Sequence, residues 1–210
     1  MEKYNEAIET FKTFLKLEPD NLYAQCTIGE CYEKLGQYDT ACEYYYKVIE
    51  TDSNFADAHY GLSIVKLRQG LYNDCAKYIT RALELDSQNS DYWFGSGELF
   101  FKIGDKENAL IAFKHTVEFN PYDVEAWLYI AEINLEIAGT ESALLSLKKA
   151  YTHNNNSPQL CHRLACLYYS INDIESCIVF FEKVLLLRPA LTDIFFEQYP
   201  EAKYYEEIIN

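Results

Sequence analysis

The side chains with the most intrinsic chemistry in this chain are seven cysteines and four histidines among 210 residues. Cys161-His162, with Cys166 nearby, is the nearest approach to a nucleophile and its base. Such a pair needs both groups within hydrogen-bond reach and a third group to orient the base. Adjacent residues on a helix point apart, so Cys161 and His162 do not meet that need. Gly95-Ser96-Gly97 is the nearest thing to a phosphate loop, but it lies inside a helical pattern and follows no strand. Cys26 and Cys31, like Cys161 and Cys166, are five apart, which puts their thiols on different sides of a helix and makes no zinc pattern. His59, His115, His153 and His162 are scattered and lack ligand spacing. No H-E-x-x-H, G-x-x-x-x-G-K-[ST] or G-x-G-x-x-G occurs. The expectation is a protein that is not an enzyme, with no catalytic residue, no metal and no cofactor.

Composition narrows the partners. The chain is 49% hydrophobic and 24% charged, which is ordinary for a globular protein. Its net charge of −15 disfavours nucleic acid, whose phosphates require Lys and Arg, and equally an anionic membrane surface. No run of eighteen apolar residues could form a membrane span. The start, MEKYNEAIE, is acidic and amphipathic and unlike a signal peptide. The odd, irregularly spaced cysteines read as small buried hydrophobes in a reducing compartment, hence the cytoplasm.

The strongest signal is a phrase that returns every 34 residues: LKLEPD from Leu15, IETDSN from Ile49, LELDSQ from Leu83, VEFNPY from Val117, YTHNNN from Tyr151 and LLLRPA from Leu185. Stacked in rows that start at Leu22, Ala56, Ser90, Val124 and Pro158, the sequence forms columns. The fourth reads Gln25, His59, Trp93, Trp127, Cys161. The eighth is always small: Gly29, Ser63, Gly97, Ala131, Ala165. The twentieth is small too: Ala7, Ala41, Cys75, Ala109, Ala143, Cys177. The twenty-fourth is mostly bulky: Phe11, Tyr45, Ile79, Phe113, Leu147, Phe181. Each row holds two helical stripes, such as Leu62, Val65 and Gln69 ending at Gly70, then Tyr72, Cys75, Ile79, Ala82 and Leu83. Small residues in fixed columns let two helices cross closely, and a bulky neighbour fills the space beside each.

These columns resemble the tetratricopeptide repeat, W-x2-L-G-x2-Y…A-x3-F…P at 34 residues. The resemblance spans residues 1–191 and is clearest in LYAQCTIGECYEKLGQYDTACEYYYKVIETDSNF (22–55) and SDYWFGSGELFFKIGDKENALIAFKHTVEFNPYD (90–123). It implies an all-α fold, a right-handed α-α superhelix or solenoid of helix-turn-helix repeats. The expected organisation is a half repeat at 1–21, five full repeats at 22–55, 56–89, 90–123, 124–157 and 158–191, and a capping segment at 192–210. Gln25 and Cys161 depart from the large aromatic of the fourth column, Asn172 replaces the Gly between the helices of its row, and Ala138-Gly139 shifts that Gly by one.

The ends carry their own expectations. Tyr4 to Leu17 matches only the second helix of a row, which suggests a fragment of a longer repeat protein, or exposed Phe11 and Phe14 that pair two copies as a homodimer. After Thr192, Tyr199 stands where a small residue is required and Pro200 interrupts the helix, so this is a cap rather than another row.

In the family, the first helices line a concave groove in which peptides lie, so the resemblance points to a non-catalytic scaffold or adaptor that binds another protein or peptide there. The second, fifth, ninth and twelfth positions of a row share one helical face. They include Asp57, Tyr60, Asp91, Phe94, Glu98, Phe101, Glu125, Leu128 and Glu132, which are the candidate partner-binding residues. Some members clamp the acidic tail of a chaperone with Lys, Arg and Asn on this face. Here Glu30, Tyr60, Phe94, Glu98 and Glu132 stand there, which suits a basic, apolar segment instead. The alternatives are a self-associating structural module and the recognition arm of a larger protein.

Overall fold

A computed structural model describes residues 1–204, with side chains through Ala202. The end of the expected cap, including Glu206-Glu207, lies outside the described residues. The described residues form twelve α-helices and no strand. First and second helices of the rows alternate after α1 (Glu2–Leu15): α2 (Leu22–Lys34) and α3 (Tyr38–Thr51), α4 (Ala56–Arg68) and α5 (Tyr72–Leu85), α6 (Ser90–Lys102) and α7 (Lys106–Phe119), α8 (Val124–Ala138) and α9 (Thr140–His153), α10 (Pro158–Ser170) and α11 (Ile174–Leu187). Then come α12 (Ala190–Gln198) and a 3-10 turn, Pro200–Tyr204. The chain divides into two compact units, residues 1–112 and the part that begins at Phe113.

Local chemistry sets these boundaries. Asn21, Asp123 and Ser157 cap α2, α8 and α10 by accepting from the amides of Ala24, Ala126 and Leu160 at 3.0, 2.9 and 3.3 Å. Asn89 does the same for α6 through the Asp91 amide at 3.0 Å. Between the helices of a row, Gly36, Gly70 and Gly104 adopt positive φ. Asn172, in the same column, adopts it too (φ 61°), the one such non-glycine residue among those described. Asn tolerates this conformation better than other side chains. In the fourth row the turn moves to Gly139, and α8 runs to 15 residues against 13 in α2, α4, α6 and α10.

One hydrogen bond recurs at the start of the first helices. Each fourth-column donor reaches back six residues to a loop carbonyl: Gln25 Nε2 to Pro19, Trp93 Nε1 to Ser87 and Trp127 Nε1 to Pro121, at 2.8, 2.8 and 2.9 Å. His59 Nε2 lies 3.0 Å from the Ser53 carbonyl in the same register. Gln25 is therefore no departure in function. It keeps the N–H that the larger rings supply, and in these rows the bond ties the incoming loop to its helix.

In the first unit, the ring of Tyr45 (α3), fully buried, lies against Gly29 of α2 and Gly61 of α4. Ile8 packs α1 onto Ile28 and Cys31 of α2, with Phe11 half-buried beside them. The expectation that Phe11 is exposed is thus corrected, because α2 covers it, while Tyr4 and Phe14 are exposed. In the second unit, Phe113 stacks on Tyr129 at 4.6 Å, and Ala143, Leu147, Leu164 and Cys177 are buried. After α11, α12 packs on α10 and α11 through Phe195, whose ring meets those of Tyr169, Phe181 and Tyr199 at 5.6, 5.1 and 5.3 Å. Pro200 follows the end of α12, and the Tyr199 hydroxyl donates to the Cys166 carbonyl at 3.3 Å.

Candidate functional site

The first helices bring several of the candidate residues together. In the first unit, α4 packs beside both α2 and α6. Tyr60 (α4) faces Tyr92 (α6) with ring centroids 5.0 Å apart. A Cβ on Gly95 would come within 2.9 Å of the Tyr60 ring, so the Gly95-Ser96-Gly97 stretch serves close packing, not phosphate. Tyr92 donates its hydroxyl to Asp57 Oδ1 at 2.5 Å. Burial pushes the Tyr60 hydroxyl well above its ordinary range, and Asp91, Glu98 and Glu33 push it further, against a small opposing effect of Arg68. The carboxyl of Glu30 is likewise raised, first by desolvation and then by Asp57 and Glu33. Asp91, Glu98 and Glu33 thus form an acidic field around Tyr60, and Glu33 and Asp57 extend it to Glu30. Asp57 and Asp91 are exposed, and Tyr60, Phe94, Glu98 and Phe101 are half-buried.

In the second unit, α8 carries Glu125, which is exposed, and Leu128 and Glu132, which are half-buried. Glu132 borders a cavity of about 280 Å³ whose walls include Leu135, Arg163, Cys166, Leu167 and Tyr199. Spacing within one row selected Glu132 but not Arg163 or Tyr199. These two come from α10 and α12 and meet Glu132 only through tertiary packing.

The structure also brings together a pair that adjacency had set aside. Cys166 Sγ lies 3.7 Å from His162 Nε2, one turn along α10, and 3.8 Å from Gln198 Oε1. Burial raises the Cys166 thiol to about 11. His162 is shifted down by burial and by Arg163. Thiol and neutral imidazole are favoured together, the reverse of an activated thiolate–imidazolium pair. No group of three or more His, Cys, Asp or Glu among the described residues could hold a metal ion. No described helix is long and apolar enough to cross a membrane.

Comparison with known sequences and structures agrees with this architecture. Tetratricopeptide repeat signatures match residues 22–55, 158–191 and 60–124, together more than half of the chain. The chain belongs to the tetratricopeptide repeat family, whose members are generally non-catalytic modules that bind other proteins or peptides. No curated protein matches it in sequence. Structures of similar fold include YrrB, described as a TPR protein with an unusual peptide-binding site, at 19% identity over 87% of this chain and 94% of that one, TM-score 0.63. They also include pilF of Pseudomonas aeruginosa, at 19% identity over 96% and 90%, TM-score 0.70, and MamA, at 19% over 79% and 97%, TM-score 0.66. At these identities the likeness is one of fold.

Proposed function

We propose that the chain is a non-catalytic scaffold or adaptor that holds a basic, apolar protein segment against the acidic, aromatic face of its first helices. In this reading residues 22–191 are five full repeats, after a half repeat at 1–21 and before a cap from 192. The contact residues are Asp57, Tyr60, Asp91, Phe94, Glu98 and Phe101 in the first unit, and Glu125, Leu128 and Glu132 in the second. The observation that carries the reading is the acidic field at Tyr60, fed by carboxylates from α2 and α6. Such a field attracts Lys and Arg and repels an acidic tail. Half-buried rings beside it are the side chains that most often anchor an interface. A reducing compartment, the cytoplasm, suits seven unpaired thiols, all buried.

The test is a peptide library sorted by charge and screened at two salt concentrations, with Glu98→Lys plus Glu132→Lys beside the parent. Basic, apolar peptides should be enriched, and both salt and the double reversal should weaken them. Enrichment that is unchanged by the reversal would reject this face as the contact. A second reading, pairing of two copies through α1, draws support from exposed Tyr4 and Phe14. A monomer mass by light scattering at every concentration would reject it.

A further inference from the structure

The second helices carry a pattern of their own. One helical face reads Glu43, Lys47, Glu50 on α3, Lys77, Arg81, Glu84 on α5, and Ile111, His115, Glu118 on α7. On α9 it becomes Leu145, Lys149, Thr152, and on α11 Val179, Lys183, Leu186. The middle position stays basic or histidine throughout. Glu84 and Glu118 pair with Arg81 and His115 one turn along, each at 3.1 Å. On α9 and α11 the position of that carboxylate is Thr152 or Leu186, and the ammonium groups lie over rings instead. Lys149 Nζ is 5.5 Å from the Trp127 ring, and Lys183 Nζ is 4.8 Å from Tyr151 and 5.3 Å from Phe180. Leu145, Val179 and Leu186 are 71%, 46% and 85% exposed.

Beside Leu145 and Lys149 lies a groove of about 450 Å³ in the second unit. Trp127, Ile130 and Asn134 of α8 line it, with Lys114 on the α7 side. Glu118 also borders it, engaged with His115. The surface thus combines the exposed Leu145, a groove with the largely buried Trp127 in its wall and lysines on both sides, in a chain of net charge −15.

We infer that this outer face of the second unit docks an acidic, apolar protein segment, with an apolar side chain in the groove near Trp127 and carboxylates at Lys114 and Lys149. The lysines disfavour a basic segment here, and the overall charge disfavours nucleic acid. Lys114 and Lys149 supply charge complementarity, and the exposed aliphatics supply apolar area to bury. The site is separate from the first-helix face and asks for a partner of opposite charge, so a failure of either reading leaves the other standing.

Trp127 is itself a reporter. The chain has two tryptophans, and Trp93→Phe leaves only the one in the groove. Peptides alternating Asp or Glu with Leu or Phe are titrated into the whole chain, followed by Trp127 emission in this variant and by calorimetry in the parent. Peptides with Lys in place of the acids, and polyglutamate without apolar residues, run alongside. The acidic, apolar peptides should bind, shift the emission and weaken with salt. Lys114→Glu plus Lys149→Glu, both exposed positions, should weaken them by about tenfold or more, the scale of a lost charged contact at an interface. Leu145→Glu should do the same with helical content unchanged by circular dichroism. Absence of binding, equal binding of polyglutamate, or binding that survives the lysine reversal would overturn the inference.

Discussion

The ring of Tyr45 occupies the place where a Cβ on Gly61 would stand. On its other side it leaves a Cβ on Gly29 only 2.8 Å of room. Gly29 of the eighth column and Gly61, from the sixth position of the next row, are thus the joint counterparts of one bulky side chain wedged between two first helices. Gly61→Ala must push that ring or its helix aside and is expected to cost about 1–3 kcal/mol, the usual range for overpacking a tight core. Urea denaturation measures it. Paired with Tyr45→Leu, the loss should be clearly less than additive, because the two sites share one contact. Full additivity would mean that the ring is not what the glycine accommodates.

Tyr45 carries a second expectation. Its hydroxyl is buried and makes no hydrogen bond among the described residues. Burial, then Cys26, Glu30 and Glu33, push its ionisation far up. A buried hydroxyl without a partner contributes desolvation cost and no bond. Tyr45→Phe is therefore expected to leave the unfolding midpoint unchanged or raise it. A fall equivalent to about 1 kcal/mol, the typical value of a made hydrogen bond, would contradict this.

The reach of Trp127 back to Pro121, at 2.9 Å, makes a third prediction. Trp127→Phe keeps most of the apolar body and leaves the Pro121 carbonyl unanswered, at a cost of about 1–3 kcal/mol. His59→Gln should be tolerated, because Gln25 makes the same bond in its own row. His59→Leu should not be. Equal stability of the Gln and Leu variants would show that size, not the donor, is what the fourth column selects.

That column also marks how far the sequence could be read. The period, the small columns and the helix pairs were legible because one steric problem is solved the same way in each row. Gln25 looked like a departure because its letter differs, although its N–H is equivalent to that of an indole. The His162–Cys166 contact escaped a reading that weighed adjacent residues and not the pair one turn apart. Asp57, Asp91 and Glu98 were visible by spacing alone, since each lies on the same face of its helix. Arg163 and Tyr199 near Glu132 were not, because α10 and α12 bring them in from other segments. The lysine face of α9 emerged only when its row was compared with the others and its leucine proved exposed.

Buried thiols set the response to alkali. Burial raises Cys166 to about 11 and both Cys75 and Cys177 to about 12, from an ordinary 9.0. Above pH 9 the unfolded chain releases these protons while the folded chain retains them. Stability is therefore full below pH 9 and falls as pH rises from 9 toward 12. Urea midpoints should agree at pH 7 and 8 and drop at pH 10. A midpoint that holds or rises at pH 10 would show that ionisation of these groups is not linked to unfolding.

The cap makes the last prediction. Phe195 is fully buried and meets Tyr169, Phe181 and Tyr199, so α12 completes the core that α10 and α11 would otherwise leave open. Truncation of a buried phenylalanine removes its transfer energy and leaves a cavity, at about 3–5 kcal/mol. Phe195→Ala should lower the urea midpoint and speed hydrogen exchange in α10 and α11 before α2 to α4, which belong to the other unit. Tyr199→Phe should act in the same place but more weakly, because it deletes the hydroxyl's bonds to the Cys166 carbonyl and from Gln198 Nε2 and keeps the ring. If exchange in α10 and α11 is as slow in Phe195→Ala as in the parent, α12 merely rests on the last repeat and the ring cluster does not hold it closed.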